Sequence, residues 1–328
     1  MKKNNKFQND DKFIDSILRP GSWSDYIGQQ KTKKGLNLIL TAAKKRNEPT
    51  DHLLFYGPAG LGKTTLAILV AKEMKANLKV ATGPALQKLG DLAAVLSNLE
   101  RQDVLFIDEA HRLSRPVEEM LYPAMESRKF FLVVGKSLAS RVISLDLPPF
   151  TLIAATTRPS LLSNPLRSRF GAIFRFDYYD FEEIKTIIER SAELIKIKLT
   201  PDAVSVLAKA SRFTPRIANR LLKRARDFAE VNNSRIVDAD VASETLKLME
   251  VDCLGLESCE RCLLETIIKR FNNRPVGINA LASVLGEEKD TLEEIYEPYL
   301  MKLGLIQRTP LGRIATEAAY KHLGIYET

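Results

Sequence analysis

The residues able to do chemistry fall into four short groups. The first is GPAGLGKT at 57–64, where Gly57, Gly62, Lys63 and Thr64 keep the spacing G-x-x-x-x-G-K-T. Glycines there let the backbone wrap with its N–H groups aimed at phosphate oxygens, and a helix starting at the lysine adds its positive end. In such a loop Lys63 reaches the β- and γ-phosphates and the Thr64 hydroxyl ligates Mg²⁺. The second group is Asp108-Glu109, closing the apolar run VLFI at 104–107. At that strand end Asp108 can hold the metal's water shell, and Glu109 can take a proton from an attacking water. The third is Thr156-Thr157-Arg158, at the tip of another apolar run, where a hydroxyl can bond a γ-phosphate or orient water. The fourth is cationic: Arg167 and Arg169 in NPLRSRFG at 164–171, and Arg216 at the opening of a helical stretch. A cation at a helix start opposes the dipole locally, which points to an anionic ligand. Together these groups specify magnesium-dependent cleavage of a nucleoside triphosphate.

Such groups need a sheet edge to meet on. HLLFY at 52–56 reads as a short buried strand, and the apolar-faced stretch after Lys63 as a helix. Further strands are expected at 78–81, 103–108 and 150–155, with helices at 29–46 and 89–100. The segment 130–145 is β-rich on both sides of a small-residue centre and reads as a hairpin with its tip near Gly135–Ser140. It is either a partner surface or plain packing. Trp23, Tyr26 and Ile27 sit in a turn-rich approach with Arg19 nearby, either packing at the domain edge or lying over a purine ring.

After Tyr179 the pattern turns helical: 181–196, 201–211, 214–232 and 238–250, with Thr200-Pro201 and Thr214-Pro215 as caps. From Cys253 it changes again. Helices at 257–271, 278–285 and 291–303 precede a short hairpin around Pro310-Leu311-Gly312, the order of a winged helix. Arg308 and Arg313 flank the wing turn, where they can hold phosphates; the other use of such a fold is protein contact.

Composition sets limits on this reading. The 328 residues are 45% hydrophobic and 27% charged, ordinary for a globular chain of two or three domains. No apolar run approaches the roughly 20 residues of a membrane span, and the polar first fifteen residues are expected to be a disordered tail, so a cytosolic protein is expected. Three cysteines fit a reducing compartment; Cys259 and Cys262 have the spacing of half a zinc site, but no second pair follows and a structural role is favoured. The net charge is +8, and residues 1–179 hold 27 Lys and Arg against 17 Asp and Glu. Residues 253–328 hold 9 against 11, so a DNA footprint there would be narrow, with a shallow salt slope.

The order of phosphate loop, IDEAH at 107–111, hairpin, ATTR at 155–158 and LRSRFG at 166–171 resembles an AAA+ ATPase. Longer runs narrow the likeness: LPPFTLI at 147–153, TPRIANRLL at 214–222, DTLEEIYEPYL at 290–300 and QRTP at 307–310 resemble the RuvB family of Holliday-junction branch-migration motors. The similarity extends from Leu18 to Gly324. It implies an α/β P-loop AAA+ ATPase domain, a parallel sheet flanked by helices, at 1–179. An all-α lid domain at 180–252 and a winged-helix DNA-binding domain at 253–328 would follow.

By the same resemblance ATP and Mg²⁺ are the cofactors, with Gly60, Leu61, Gly62, Lys63, Thr64 and Thr65 on the phosphates and Thr64 and Asp108 on the metal. Glu109 matches the water-activating carboxylate, Thr156 or Thr157 the first sensor, Arg216 the second, and Arg169 the arginine finger offered to a neighbour. Leu18, Arg19, Tyr26, Ile27 and Tyr179 match nucleoside-contacting positions, Glu126, Ser127 and Arg128 a nucleotide-proximal loop, and Arg308 and Arg313 a DNA-contacting wing. The implied partners are duplex DNA, Holliday junctions, the junction-binding protein RuvA at the hairpin, the RuvC resolvase, and further copies of the chain in a homohexamer. Recombination, repair and the response to DNA damage are the implied setting.

Three departures stand out. The family's Gly-Pro-Pro-Gly reads Gly-Pro-Ala-Gly here, and Ala59 removes no donor from the cradle. Leu311 stands where the wing usually has arginine, and the hairpin tip lacks a second Gly-Pro, which bears on the fit to RuvA. Two other classes share these features: a clamp-loader-like remodelling ATPase, which needs no wing on DNA, and a transcriptional regulator, which would read a preferred sequence.

Overall fold

A computed structural model describes residues 17–134 and 141–325, with backbone only for 132–134, 141 and 142. The expected hairpin tip at 135–140 and the amino-terminal tail lie outside the described residues. Contacts divide the chain into two units, one running to Ile187 and including Thr214–Arg216, the other comprising Ile188–Phe213 and everything from Ile217 onward.

The first unit opens with helix α1 (Gln30–Arg46), which buries Thr32, Leu36, Leu40 and Ala43 along one stripe. It stops at Asn47, whose left-handed conformation turns its N–H back to the carbonyls of Ala43 and Lys44. Strand β1 (Leu53–Tyr56) leads through the glycine loop into α2 (Lys63–Glu73). Strand β2 (Leu78–Thr82), helix α3 (Leu89–Ser97) and strand β3 (Val104–Asp108) follow. Helix α3 ends earlier than expected, because Asn98 leaves helical geometry and caps it.

Helix α4 (Arg115–Glu126), the hairpin of β4 (Lys129–Val134) and β5 (Arg141–Asp146), and strand β6 (Thr151–Thr156) come next. A short helix α5 (Asn164–Arg167) and strand β7 (Ala172–Arg175) complete the unit before α6 (Phe181–Leu194).

Strands β2-β3-β6-β1-β7 form one sheet in that order, with every neighbouring pair parallel. All six residues of β6 are buried, as a strand with both faces covered requires. Leu54, Leu105, Ile107, Leu152 and Ala154 join Leu92, Leu96, Val117 and Leu121 of the flanking helices in one core. The all-parallel order brings the ends of β1, β3 and β6, and so the glycine loop, Asp108 and Thr156, to the same carboxyl edge. Three elements of this unit had no sequence expectation, one of them the one-turn helix α5. Helix α4 has proline at its start and Pro123 inside it, which masks its period. Strand β7 spans only four residues and alternates half-buried with exposed, too short to carry a period.

The second unit holds β8 (Lys198–Leu199), α7 (Pro201–Ala210), α8 (Pro215–Val231) from Ile217 onward, β9 (Ile236–Val237) and α9 (Ala239–Leu248). Thr200 caps α7 by accepting the Ala203 N–H. Helix α10 (Ser258–Glu265) continues into a π-helical turn at Thr266–Arg270, followed by α11 (Ile278–Leu285) and a helical stretch at 289–302. The wing is an antiparallel pair, β10 (Ile306–Thr309) and β11 (Gly312–Ala315), and the backbone of Arg313 bridges to Val276 as a third rung. Gly312, at φ +146°, is required there, because a Cβ would lie 2.4 Å from the Val276 carbonyl oxygen. Leu263, Ile267, Leu281, Leu292, Leu300 and Ile306 form the core beneath the wing, and Ala319 of a last helix (Glu317–Leu323) joins it, giving a winged-helix fold.

Candidate functional site

The phosphate loop is held in shape by close approaches to its glycines. Gly57 sits at φ +143°, and a Cβ on it would come within 2.4 Å of the Phe176 carbonyl oxygen. Gly62 sits at φ +93°, with a Cβ position 2.6 Å from the Tyr26 hydroxyl. The Lys63 side chain is buried and folds back on its own loop, donating to the Gly57 and Pro58 carbonyls at 2.7 Å each. Burial lowers its pKa to about 8, with Arg216 pushing the same way and Asp108 opposing. The lysine thus stands in the loop with its charge only partly met, in position to turn outward to phosphate.

Two phenols brace the same loop from behind. The Tyr26 and Tyr179 hydroxyls each donate to the Leu61 carbonyl at 3.3 Å, and Tyr179 also donates to the Tyr26 oxygen at 3.3 Å. Burial raises both pKa values, Tyr179 to about 12, so both stay protonated donors. Leu18 is buried beside them in sequence, Ile27 is half-buried and Arg19 exposed. The turn-rich approach had left Tyr26, Ile27 and Arg19 between edge packing and a place over a purine ring, and the resemblance added Leu18 and Tyr179; the contact with the Leu61 carbonyl is a link that spacing could not reveal.

At the carboxyl edge the Thr64 hydroxyl donates to Asp108 Oδ2 at 2.9 Å, and Asp108 Oδ1 accepts the Glu109 N–H at 2.9 Å. A hydroxyl and a carboxylate converging beside a phosphate loop are a hard-oxygen donor pair, which suits Mg²⁺. Glu109 adopts the left-handed conformation (φ +50°), and its exposed carboxylate lies 3.5 Å from Arg112. The Thr156 hydroxyl is engaged inside the fold: it accepts the Arg158 N–H at 3.0 Å and lies 3.0 Å from His111 Nδ1. Burial, then the charge of Arg158, holds the His111 pKa below its ordinary value, which leaves the ring neutral at pH 7. Thr157, one residue on, is exposed.

Arg216 is exposed at the start of α8, and Thr214–Arg216 belong to the first unit. Its Cβ is 3.1 Å from where a Cβ on Gly60 would stand, so the cation is beside the phosphate loop.

Arg169 is elsewhere on this unit. An open cavity of about 790 Å³ gathers Arg169 with Glu126, Ser127 and Arg128, along with Arg46 and Arg101; its lining includes none of the phosphate-loop residues. The guanidinium stacks 4.5 Å over the Tyr122 ring, donates to the Pro165 carbonyl at 2.6 Å and pairs with Glu126 at 3.0 Å. Tyr122 in turn bonds Ser163, the residue that caps α5. Helix α4, unassigned from sequence, therefore carries two of the arginine's three contacts, Tyr122 and Glu126, and α5 the third. Arg167 points its guanidinium to Asn164 instead.

In the second unit both wing arginines meet buried carboxylate. Arg308 binds Glu297 through Nε and Nη2; Arg313 binds Glu297 at 2.6 Å and Glu293 at 2.9 Å. Arg313 is largely covered by these contacts, whereas the Arg308 side chain is 47% exposed. Leu311 is 80% exposed at the turn between them. Cys253, Cys259 and Cys262 are exposed thiols. On the hairpin Phe131, Ile143 and Leu145 are exposed apolar side chains.

Comparison with known proteins covers nearly the whole chain. Residues 18–176 match the family "Holliday junction DNA helicase RuvB P-loop domain", residues 179–252 the "RuvB AAA lid domain", and residues 253–324 the "RuvB C-terminal winged helix domain". Among solved structures, the Thermotoga maritima RuvB Holliday junction branch migration motor is 49% identical with a TM-score of 0.85, covering 95% of this chain and 99% of that one. A single-site mutant of it gives the same identity and coverage with a TM-score of 0.86.

Proposed function

Because the chain belongs to the RuvB family of Holliday junction DNA helicases, we propose that a ring of its copies pulls duplex DNA to move four-way junctions, driven by ATP, in recombination and repair. As an ATPase helicase of this family it carries a P-loop domain, a lid and a winged helix. One observation carries the ring. The loop, Asp108 and Glu109 form one half of a hydrolytic site, while Arg169 and residues 126–128 share a cavity whose lining includes no loop residue. A cation held ready and away from its own nucleotide suits the neighbour's. The proposed ring is a homohexamer with nucleotide between protomers, and its domains divide after Tyr179 and Asp252.

In this reading Lys63 leaves the Gly57 and Pro58 carbonyls for the β- and γ-phosphates, and its charge is restored as anionic oxygens replace carbonyl dipoles. Thr64 and Asp108 would hold Mg²⁺, which supplies charge neutralisation at the phosphates. Glu109 draws a proton from water in line with the γ-phosphorus. Thr157 orients that water or senses the γ-phosphate, since the Thr156 hydroxyl already serves Arg158 and His111. The neighbour's Arg169 stabilises the charge that develops as the phosphoryl group leaves, a contribution of roughly 10³–10⁵ in rate for arginine fingers generally. Arg216 contacts phosphate only before hydrolysis, and its release turns the lid.

Leu18, Arg19, Tyr26, Ile27 and Tyr179 flank the nucleoside. The wing tracks the DNA backbone, which carries no base information and so suits a motor. RuvA docks on the exposed apolar side chains of the hairpin, with RuvC joining the larger assembly. The setting is the cytosol; among the described residues no helix is long and apolar enough to cross a membrane.

Mixing variants tests the shared site. Glu109→Gln and Arg169→Ala should each abolish hydrolysis alone, and mixed together should regain part of it, since each chain supplies what the other lacks. Absence of any regain in mixed rings contradicts a site built from two chains.

A further inference from the structure

Arg212 and Phe213 are consecutive residues in the left-handed region, at φ +54° and +55°, and neither is glycine. Side chains with a Cβ avoid that region, and two in a row persist only where the surroundings dictate them, a situation concentrated at switch segments. Here the surroundings are the winged helix. Arg212 Nε donates to the Gly255 carbonyl at 2.7 Å, and Nη2 donates to Glu260 Oε2 at 2.5 Å. The same guanidinium lies 5.3 Å from the Tyr299 ring centre, and the Tyr299 hydroxyl donates to the Leu254 carbonyl at 2.5 Å. The Lys302 ammonium lies 5.0 Å over the Phe213 ring. Gly255 packs so closely that a Cβ would meet the Ala210 carbonyl oxygen at 2.4 Å.

Glu260 is fully buried; its Oε2 also accepts the Glu257 N–H, while Oε1 has no hydrogen-bond partner. Burial raises its pKa in spite of Arg212, so the pair is a poor source of stability and its value is geometric. Immediately beyond Phe213, Thr214–Arg216 group with the first unit, Arg216 beside Gly60. Arg212, held by the winged helix, and Arg216, beside Gly60, are thus four positions apart along the chain.

We propose that Arg212, Phe213 and Glu260 form a rigid joint that carries displacement of Arg216 to the winged helix, with Glu260 as its positioning residue. The proposal rests on Arg216 contacting phosphate. A glycine hinge at 212–213 would absorb such a displacement; a strained, clamped turn passes it on.

The test measures ATP turnover and base pairs migrated per ATP on a four-way junction, with RuvA present, for wild type, Glu260→Gln and Phe213→Gly. Glutamine keeps the size of Glu260 and the cap on Glu257, and glycine relaxes the backbone, so one variant stays folded if the other does not. Turnover should stay within about twofold while base pairs per ATP fall about tenfold, inside the usual span of coupling between sites. Unchanged base pairs per ATP in a folded variant, or losses of turnover and migration in proportion, would overturn the joint. Amide exchange reads the joint without DNA: a non-hydrolysable ATP analogue should slow exchange at Gly255, Leu256 and Glu257 in wild type and not in Glu260→Gln. Wild type that migrates no junction yet shows this exchange pattern sinks the motor reading alone; wild type without it sinks the joint.

Discussion

At the scale of single residues, the loop lysine has the most telling electrostatics. Its pKa of about 8 arises chiefly from burial. Phosphate oxygens around the amine raise that value, so above pH 8 binding must take up a proton. The sign follows: nucleotide affinity is full below pH 8 and weakens above it, by up to about tenfold per pH unit until the bound-state pKa is passed. Calorimetric Kd values with magnesium and ATP from pH 7 to 9 check this, and a flat profile would show that no proton is taken up. The adjacent threonines separate in a different way. Thr156→Val strips a partner from the Arg158 N–H and from His111, so it should cost roughly 1–2 kcal/mol of stability in denaturant titration. Thr157→Val should leave stability unchanged and lower turnover with little effect on nucleotide binding.

At the scale of elements, the wing separates two arginines that look alike in sequence. Arg313 is enclosed by Glu293 and Glu297, and removing it leaves Glu297 buried with less of its charge met, a loss of roughly 3 kcal/mol. Arg308 shares Glu297 but keeps half its side chain in solvent. Arg308→Ala should weaken duplex binding uniformly across sequences and reduce the salt slope by about one, with a smaller loss of stability than Arg313→Ala. Equal effects of the two substitutions on salt slope and stability would contradict this division.

The same elements show what a sequence can disclose. The phosphate loop, the acidic strand end and the winged-helix order were legible because each depends on local spacing or local period. Helix α4 was not, since two prolines break its pattern, and with it went Tyr122, on which the Arg169 guanidinium stacks. The engagement of Thr156 with His111 is likewise invisible in sequence, since it spans 45 positions and depends on β3 and β6 being neighbours. Neither Glu297 nor Arg212 drew a role from the sequence; only packing makes them the buried partners of the wing arginines and of Glu260.

At the scale of the whole molecule, the chain carries a phosphate loop and a separately housed arginine in one unit, and a winged helix clamped to a helical lid in the other. That distribution makes sense if nucleotide chemistry at the contact of two copies is converted into movement of a double helix. The most direct measurement is migration of a synthetic four-way junction by the full chain with RuvA, its arms built from unrelated sequences. The expected result is dissociation into duplex products that requires magnesium and hydrolysable ATP and proceeds at similar rates whatever the sequence of the arms. ATP consumed at an undiminished rate with the junction left intact, or arms separating equally well with a non-hydrolysable analogue, would contradict it.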